Sequence, residues 1–225
     1  MKSTFSLFLR HTCLIAIVAV GFAFTGNTAM AQSLKDLFAD REQMIDALQA
    51  GGHILLIRHE RTEMLSRKDD YTKSPNDCTA QRNLSIAGVA GAQETGVVLR
   101  ALSIKVGRVI ASPMCRSAET ARYMFGVDYE TDTRLMHHNP EGGRSLDIAV
   151  EEVRTLLGEL APGLPETNVA LISHGGSIFR VSDLLLSEGE IGVLKLDEDG
   201  NVTAVGQFMG SDLAPFARRA VHNKN

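Results

Sequence analysis

Two arginines and two histidines in this chain stand at positions suited to handling an anion. Arg58 and His59 follow directly on Ile54-Leu55-Leu56-Ile57, a run of four aliphatic residues. Arg116 closes Ser112-Pro113-Met114-Cys115-Arg116 after the apolar stretch from Val106, and His174 ends Ala170-Leu171-Ile172-Ser173-His174. Guanidinium forks match phosphoryl oxygens two bonds at a time. A neutral imidazole among such cations is a competent nucleophile toward phosphorus and would pass through a covalent phosphoenzyme. The flanking cations would stabilise the charge that develops on the transferring group.

That chemistry requires the four side chains to meet, and the pattern of elements says how they do. Short aliphatic runs bounded by polar turns read as fully buried strands of a parallel sheet. The carboxyl ends of such strands lie along one edge, where open α/β sheets bind ligands. Strands are expected at 53–57, 106–112 and 168–172, and helices at 34–49, 86–102, 117–125, 145–160 and 177–186. Ser33 and Ser85 are N-cap candidates, with Gly51-Gly52 and Gly126 as stops. Residues 192–196 and 202–208 flank Asp197-Glu198-Asp199-Gly200-Asn201, a hairpin signal. Strands alternating with helices predict a three-layer α/β/α sandwich around a mostly parallel central sheet. The polar, aperiodic stretch from Arg61 to Arg82 is a long loop that starts at the Arg58-His59 edge, so it is expected to overhang the site. The tail after Gly210 is read as peripheral.

With these residues in view, the sequence resembles the histidine phosphatase superfamily, the phosphoglycerate mutase-like clan. The resemblance rests on Leu56-Ile57-Arg58-His59-Glu60-Arg61-Thr62, on Asn83-Leu84-Ser85 with Gly88, on Ser112 to Ala121 and on Leu171-Ile172-Ser173-His174-Gly175. It spans about residues 52–210. It implies that His59 is the phosphorylated nucleophile, that Arg58, Arg116 and His174 hold the phosphoryl group, and that no cofactor or metal is needed. Among its branches the chain is similar to the exported one that includes lipopolysaccharide core heptose-phosphate phosphatase.

The family pattern is broken in three places. Glu60 stands where a small residue usually follows the nucleophile. Gly175 follows His174, where two-histidine acid phosphatases carry a proton-donating Asp. The segment where mutase-like members place a donor carboxylate reads Leu135-Met136-His137-His138-Asn139-Pro140-Glu141. A leaving group needs a proton donor within hydrogen-bond reach. Glu141 is the first candidate for that acid, with Glu60, His137 and His138 behind it.

The first 31 residues have the layout of a secretory signal peptide. Lys2 and Arg10 precede an apolar block from Cys13 to Phe24, and Ala29-Met30-Ala31 offers a cleavage site. The block is short for a membrane span. The expected organisation is therefore a signal peptide at 1–31 and one histidine phosphatase domain at 32–225, periplasmic or secreted, with no stable membrane insertion after cleavage. The 225 residues carry a formal net charge of −4. The leader holds only basic charges, so the remainder is more acidic still, and no nucleic-acid partner is expected. Beyond the leader the cysteines are Cys78 and Cys115, with no Cys-x-x-Cys and no ligand cluster for zinc. In an oxidising compartment they could pair, but spacing alone does not decide it.

The expected activity is that of an exported phosphomonoesterase on a small phosphorylated substrate, with an envelope phosphosugar suggested by the resemblance. A phosphomutase and a catalytically inactive phospholigand-binding module are the alternatives.

Overall fold

The apolar residues of the central strands alternate between two faces. Leu55 and Ile57, from the strand before His59, pack with Ala170 and Ile172, from the strand before His174, on one side. Ile54 and Leu56 pack with Val169 and Leu171 on the other. A strand buried on both faces needs a helical layer over each, and both layers are present. The computed structural model describes residues 41–63, 68–139, 142–164 and 167–223; the leader reading and Glu141 lie outside them, as does the first part of the helix expected at 34–49.

The described elements run α1 (Arg41–Ala50), β1 (Ile54–Arg58), α2 (Ile86–Ala101), β2 (Val106–Ala111), α3 (Cys115–Phe125), β3 (Glu130–Thr131), α4 (Leu146–Leu160), β4 (Asn168–Ser173), α5 (Gly175–Ser182), β5 (Ile191–Leu196), β6 (Val202–Phe208) and α6 (Gly210–His222). The six-stranded sheet has the order β3-β2-β4-β1-β5-β6. Pairs β1–β4, β2–β4 and β2–β3 are parallel, while β1–β5 and β5–β6 are antiparallel. Helices α1, α2, α3 and α6 cover one face. Helices α4 and α5 cover the other. The expected three-layer sandwich with a mostly parallel sheet is what the chain forms.

Local signals account for most boundaries. Ser85 Oγ accepts from the Gly88 amide at the start of α2, and Ser145 does the same for Ile148 at the start of α4. Gly51 and Gly52 end α1 with positive φ. Two expectations are corrected. Helices α3 and α5 begin at Cys115 and Gly175, two residues earlier than the sequence suggested in each case. The segment after Gly210 is not peripheral. It forms α6, whose Leu213 and Ala217, one helical turn apart, are buried against the α2 layer. Gly210 sits so close to Thr95 of α2 that a Cβ there would meet Thr95 Oγ1 at 2.3 Å.

Candidate functional site

Parallel pairing of β1 with β4 sets the core of the site. Arg58 is level with Ser173 in the register, and the His59 amide donates to the Ser173 carbonyl at 3.1 Å. The residues that follow, His59 and His174, therefore leave the sheet side by side. Their ring centroids are 5.2 Å apart. On the other flank of β4, the Ser112 amide donates to the Ile172 carbonyl, which brings Ser112 Oγ to 3.0 Å from His174 Nε2. Ser117 Oγ lies 3.4 Å from the same nitrogen. Arg116, in the first turn of α3, is 1 % exposed. The sheet thus gathers Arg58, His59, Arg116 and His174 at one edge, as the sequence predicted.

His59 Nδ1 donates to the Glu60 carbonyl at 2.9 Å, which fixes the ring and puts the proton on that nitrogen. The lone pair then belongs to Nε2, which no hydrogen bond engages among the described residues. Burial, reinforced by the charges of Arg116 and Arg58, pulls the His59 pKa down to about 3 despite the Glu60 carbonyl. Burial and Arg116 also push His174 well below its ordinary value. Both imidazoles are neutral at physiological pH.

The cavity in front of these groups has a volume of about 360 Å³. Arg58, His59, Arg82, His137 and His174 line its polar side, and Phe179, Leu185 and Leu186 its apolar side. Phe179 and Leu185 are exposed to solvent at its rim. Among its lining residues, Arg58 Nε, Arg82 Nε and His174 Nδ1 are buried with no hydrogen-bond partner; Arg116 Nε is buried and unpartnered as well, though Arg116 is not one of the lining residues. A buried donor without a partner costs roughly 1–3 kcal/mol, so this concentration of nitrogens on cationic side chains calls for an acceptor and disfavours a cation.

The long loop reaches the site as expected. Its Asp69 accepts from Arg116 Nη1 at 3.0 Å and from the Arg82 amide at 2.9 Å. A disulfide between Cys78 and Cys115 fastens the loop to the residue next to Arg116, answering what the spacing left open. Gln81 Oε1 accepts from the Cys115 amide at 3.1 Å as a second tie.

Arg82 is the site residue that the sequence reading missed. It ends an aperiodic polar stretch, and only the fastened path of that loop carries it into the cavity. Glu188 was missed as well. Its carboxylate lies 3.9 Å from Arg58 Nη2 and 3.7 Å from Arg82 Nη2, and it accepts from Thr62 Oγ1 at 3.1 Å. It holds two site guanidinium groups in place. Glu60, a lesser candidate for the acid, is 1 % exposed and packs against Gly91 and Gly189. It is not among the cavity-lining residues, so it is set aside. Gly175 is explained by crowding: a Cβ there would come within 3.3 Å of Arg58 Cζ, so the side chain is absent where the guanidinium lies over the start of α5.

No protein-family model and no curated protein matches the sequence. Solved structures do match in fold. The protein histidine phosphatase SixA complexed with tungstate superposes with a TM-score of 0.51 at 18% identity, over 72% of this chain and 99% of that one. A mutant phosphoserine phosphatase from Entamoeba histolytica in complex with phosphoserine gives 0.52 at 15% identity, over 70% and 97%. A mycobacterial glucosyl-3-phosphoglycerate phosphatase complexed with VO3 gives 0.52 at 17%, over 68% and 95%. The chain shares the phosphoglycerate mutase-like fold of these histidine phosphatases.

Proposed function

We propose that this protein is a phosphomonoesterase that works through phospho-His59. The observation that carries the reading is the neutral His59, its Nδ1 committed to the Glu60 carbonyl, facing a cavity whose lining arginines and His174 each keep one buried nitrogen without a partner. His59 Nε2 attacks phosphorus. Arg58, Arg116 and His174 hold the equatorial oxygens, with Arg82 added to the set expected from sequence. The charge that builds in the transition state then meets donors that need no rearrangement. No step calls for a metal or cofactor. The likeness in fold to phosphatases, three of them bound to phosphoserine, tungstate or VO3, supports a small phosphorylated ligand.

The finer reading is an exported enzyme, periplasmic or secreted, acting on an envelope phosphosugar. The leader-like first 31 residues support export. The Cys78–Cys115 bond supports it too, since such bonds persist in oxidising compartments. The cavity pairs an anion-binding wall with Phe179 and Leu185, whose apolar surfaces suit the face of a sugar ring.

The test is hydrolysis of 4-nitrophenyl phosphate by protein treated with a chelator, alongside His59→Ala. Turnover that survives chelation, is lost in the variant and leaves acid-labile phosphate on the wild-type chain supports the reading. Activity that persists in His59→Ala overturns it. Phosphate binding with no turnover on any ester would make the protein a phospholigand-binding module. Transfer of the phosphoryl group to a second position of the substrate would make it a mutase.

A further inference from the structure

A phosphoryl transfer to His59 leaves one requirement unmet: the leaving oxygen of an unactivated ester must receive a proton. The side chains lining the cavity can be taken in turn. Arg58 and Arg82 hold their protons too tightly to give them up. His59 becomes the phosphorylated group. His174 is already assigned to the phosphoryl oxygens, and its Nε2 lies 3.0 Å from Ser112 Oγ. Phe179, Leu185 and Leu186 have no proton to give. His137 remains.

Among the described residues, the carboxylates near the cavity are otherwise engaged. Burial alone would raise Asp69, but the Arg82 amide and the Arg116 guanidinium outweigh it and hold its carboxyl below the usual range. Glu188 is bound to Thr62 and lies against both arginines.

His137 is held as a proton carrier must be. Its Nδ1 donates to the His138 carbonyl, which keeps that proton fixed and leaves Nε2 to exchange one. Its ring stands edge-on to His174 with centroids 5.5 Å apart. The rings of His138 and of Tyr71, from the long loop, stack on it at 4.3 and 6.3 Å, and the Tyr71 hydroxyl lies 3.4 Å from its Nδ1. The wall of the cavity therefore carries three imidazoles in sequence, His59, His174 and His137, and the third is the one not already assigned to the phosphoryl group.

We infer that His137 is the acid that protonates the leaving oxygen, an inference that rests on the phosphatase reading above. In the first step the His59 Nε2–P bond forms and the P–O bond to the leaving group breaks. The electron pair stays on the leaving oxygen, which takes the proton from His137 Nε2. In the second step a water oxygen bonds to phosphorus, the N–P bond breaks, and neutral His137 takes the proton that the water loses. The sum is ester plus water to alcohol plus phosphate. In the free protein burial favours neutral His137, and Arg116 adds to that; the negative charge of a bound ester beside it favours the protonated form.

The experiment compares kcat/KM, which covers only the steps through P–O cleavage, for 4-nitrophenyl phosphate and glycerol 2-phosphate. Nitrophenolate departs without a proton, whereas a glycerol alkoxide does not. In His137→Gln, kcat/KM for glycerol 2-phosphate should fall at least ~100-fold and that for 4-nitrophenyl phosphate by less than ~10-fold. His137→Ala should repeat the split, and Glu141→Gln should not show it. Equal losses on both esters, no loss on either, or a split that follows Glu141→Gln would each overturn the assignment. Wild-type protein inactive on both esters, or activity surviving in His59→Ala, would instead remove the phosphatase reading on which it rests.

Discussion

Asp69 Oδ1 accepts from Arg116 Nη1 at 3.0 Å, joining a loop carboxylate to a guanidinium that is 1 % exposed. Removing one partner of a buried pair strands the other as an uncompensated charge. Asp69→Ala should therefore lose about 3 kcal/mol of stability. An anion bound at Arg116 would take over the missing charge. Added inorganic phosphate should accordingly raise the Tm of the variant by more than it raises that of the wild type. Equal increments would mean that phosphate does not contact Arg116.

The Cys78–Cys115 bond closes a loop over a sequence separation of 37 and ends beside Arg116. Loop-closure arguments give such a bond about 3–4 kcal/mol. Cys78→Ser with Cys115→Ser should unfold at lower denaturant by that amount. It should also raise KM more than it lowers kcat, because Arg82 and Arg116 lose their shared anchor while His59 and His174 keep theirs in the sheet. An unchanged KM would show that the Asp69 and Gln81 contacts alone hold the loop.

Acid should destabilise the fold through its buried histidines. The unfolded His59 titrates near 6.5 and the folded one at about 3, so between those values the unfolded chain binds the extra proton. Stability rises with pH wherever the unfolded state binds more protons. The contribution is whole above pH 6.5 and erodes below it by about 1.4 kcal/mol per pH unit for each such histidine. His174 and His137 are lowered in the same direction. Denaturant unfolding between pH 7 and 4 should show a steep loss of stability that becomes shallower in His59→Ala. A slope unaltered by that substitution would place the acid sensitivity elsewhere.

The residues that were legible in the sequence are those whose position follows from a strand end. Aliphatic runs before Arg58-His59 and His174 specify buried parallel strands, and parallel strands deliver their ends to one edge. Arg116 was legible because it follows a third such run at a turn into a helix. Arg82 was not, since no periodicity marks a residue whose place depends on a cross-link and on Asp69. The start of α5 was hidden for a different reason. Gly175-Gly176 reads as a loop because glycine is a poor helix former, yet a Cβ at either position would come within 3.3 Å of Arg58 or His138, a tight fit that favours glycine inside the helix. The role of α6 was obscured by Pro215 inside it, which signals a break in isolation. Burial of Leu213 and Ala217 against α2 overrides that local preference.

The level pairing of Arg58 with Ser173 makes the geometry of the candidate site a matter of strand length. In a pleated strand a one-residue deletion turns every later side chain to the opposite face. Shortening β1 by one residue would pull His59 back from His174 and send Arg58 to the side where His59 now emerges. No substitution in the cavity could repair that, but an equal deletion in β4 would bring the two ends level again. The spacing between His59 and His174 is thus written in how many residues each strand contains, and insertions should be tolerated in the loops long before they are tolerated in either strand.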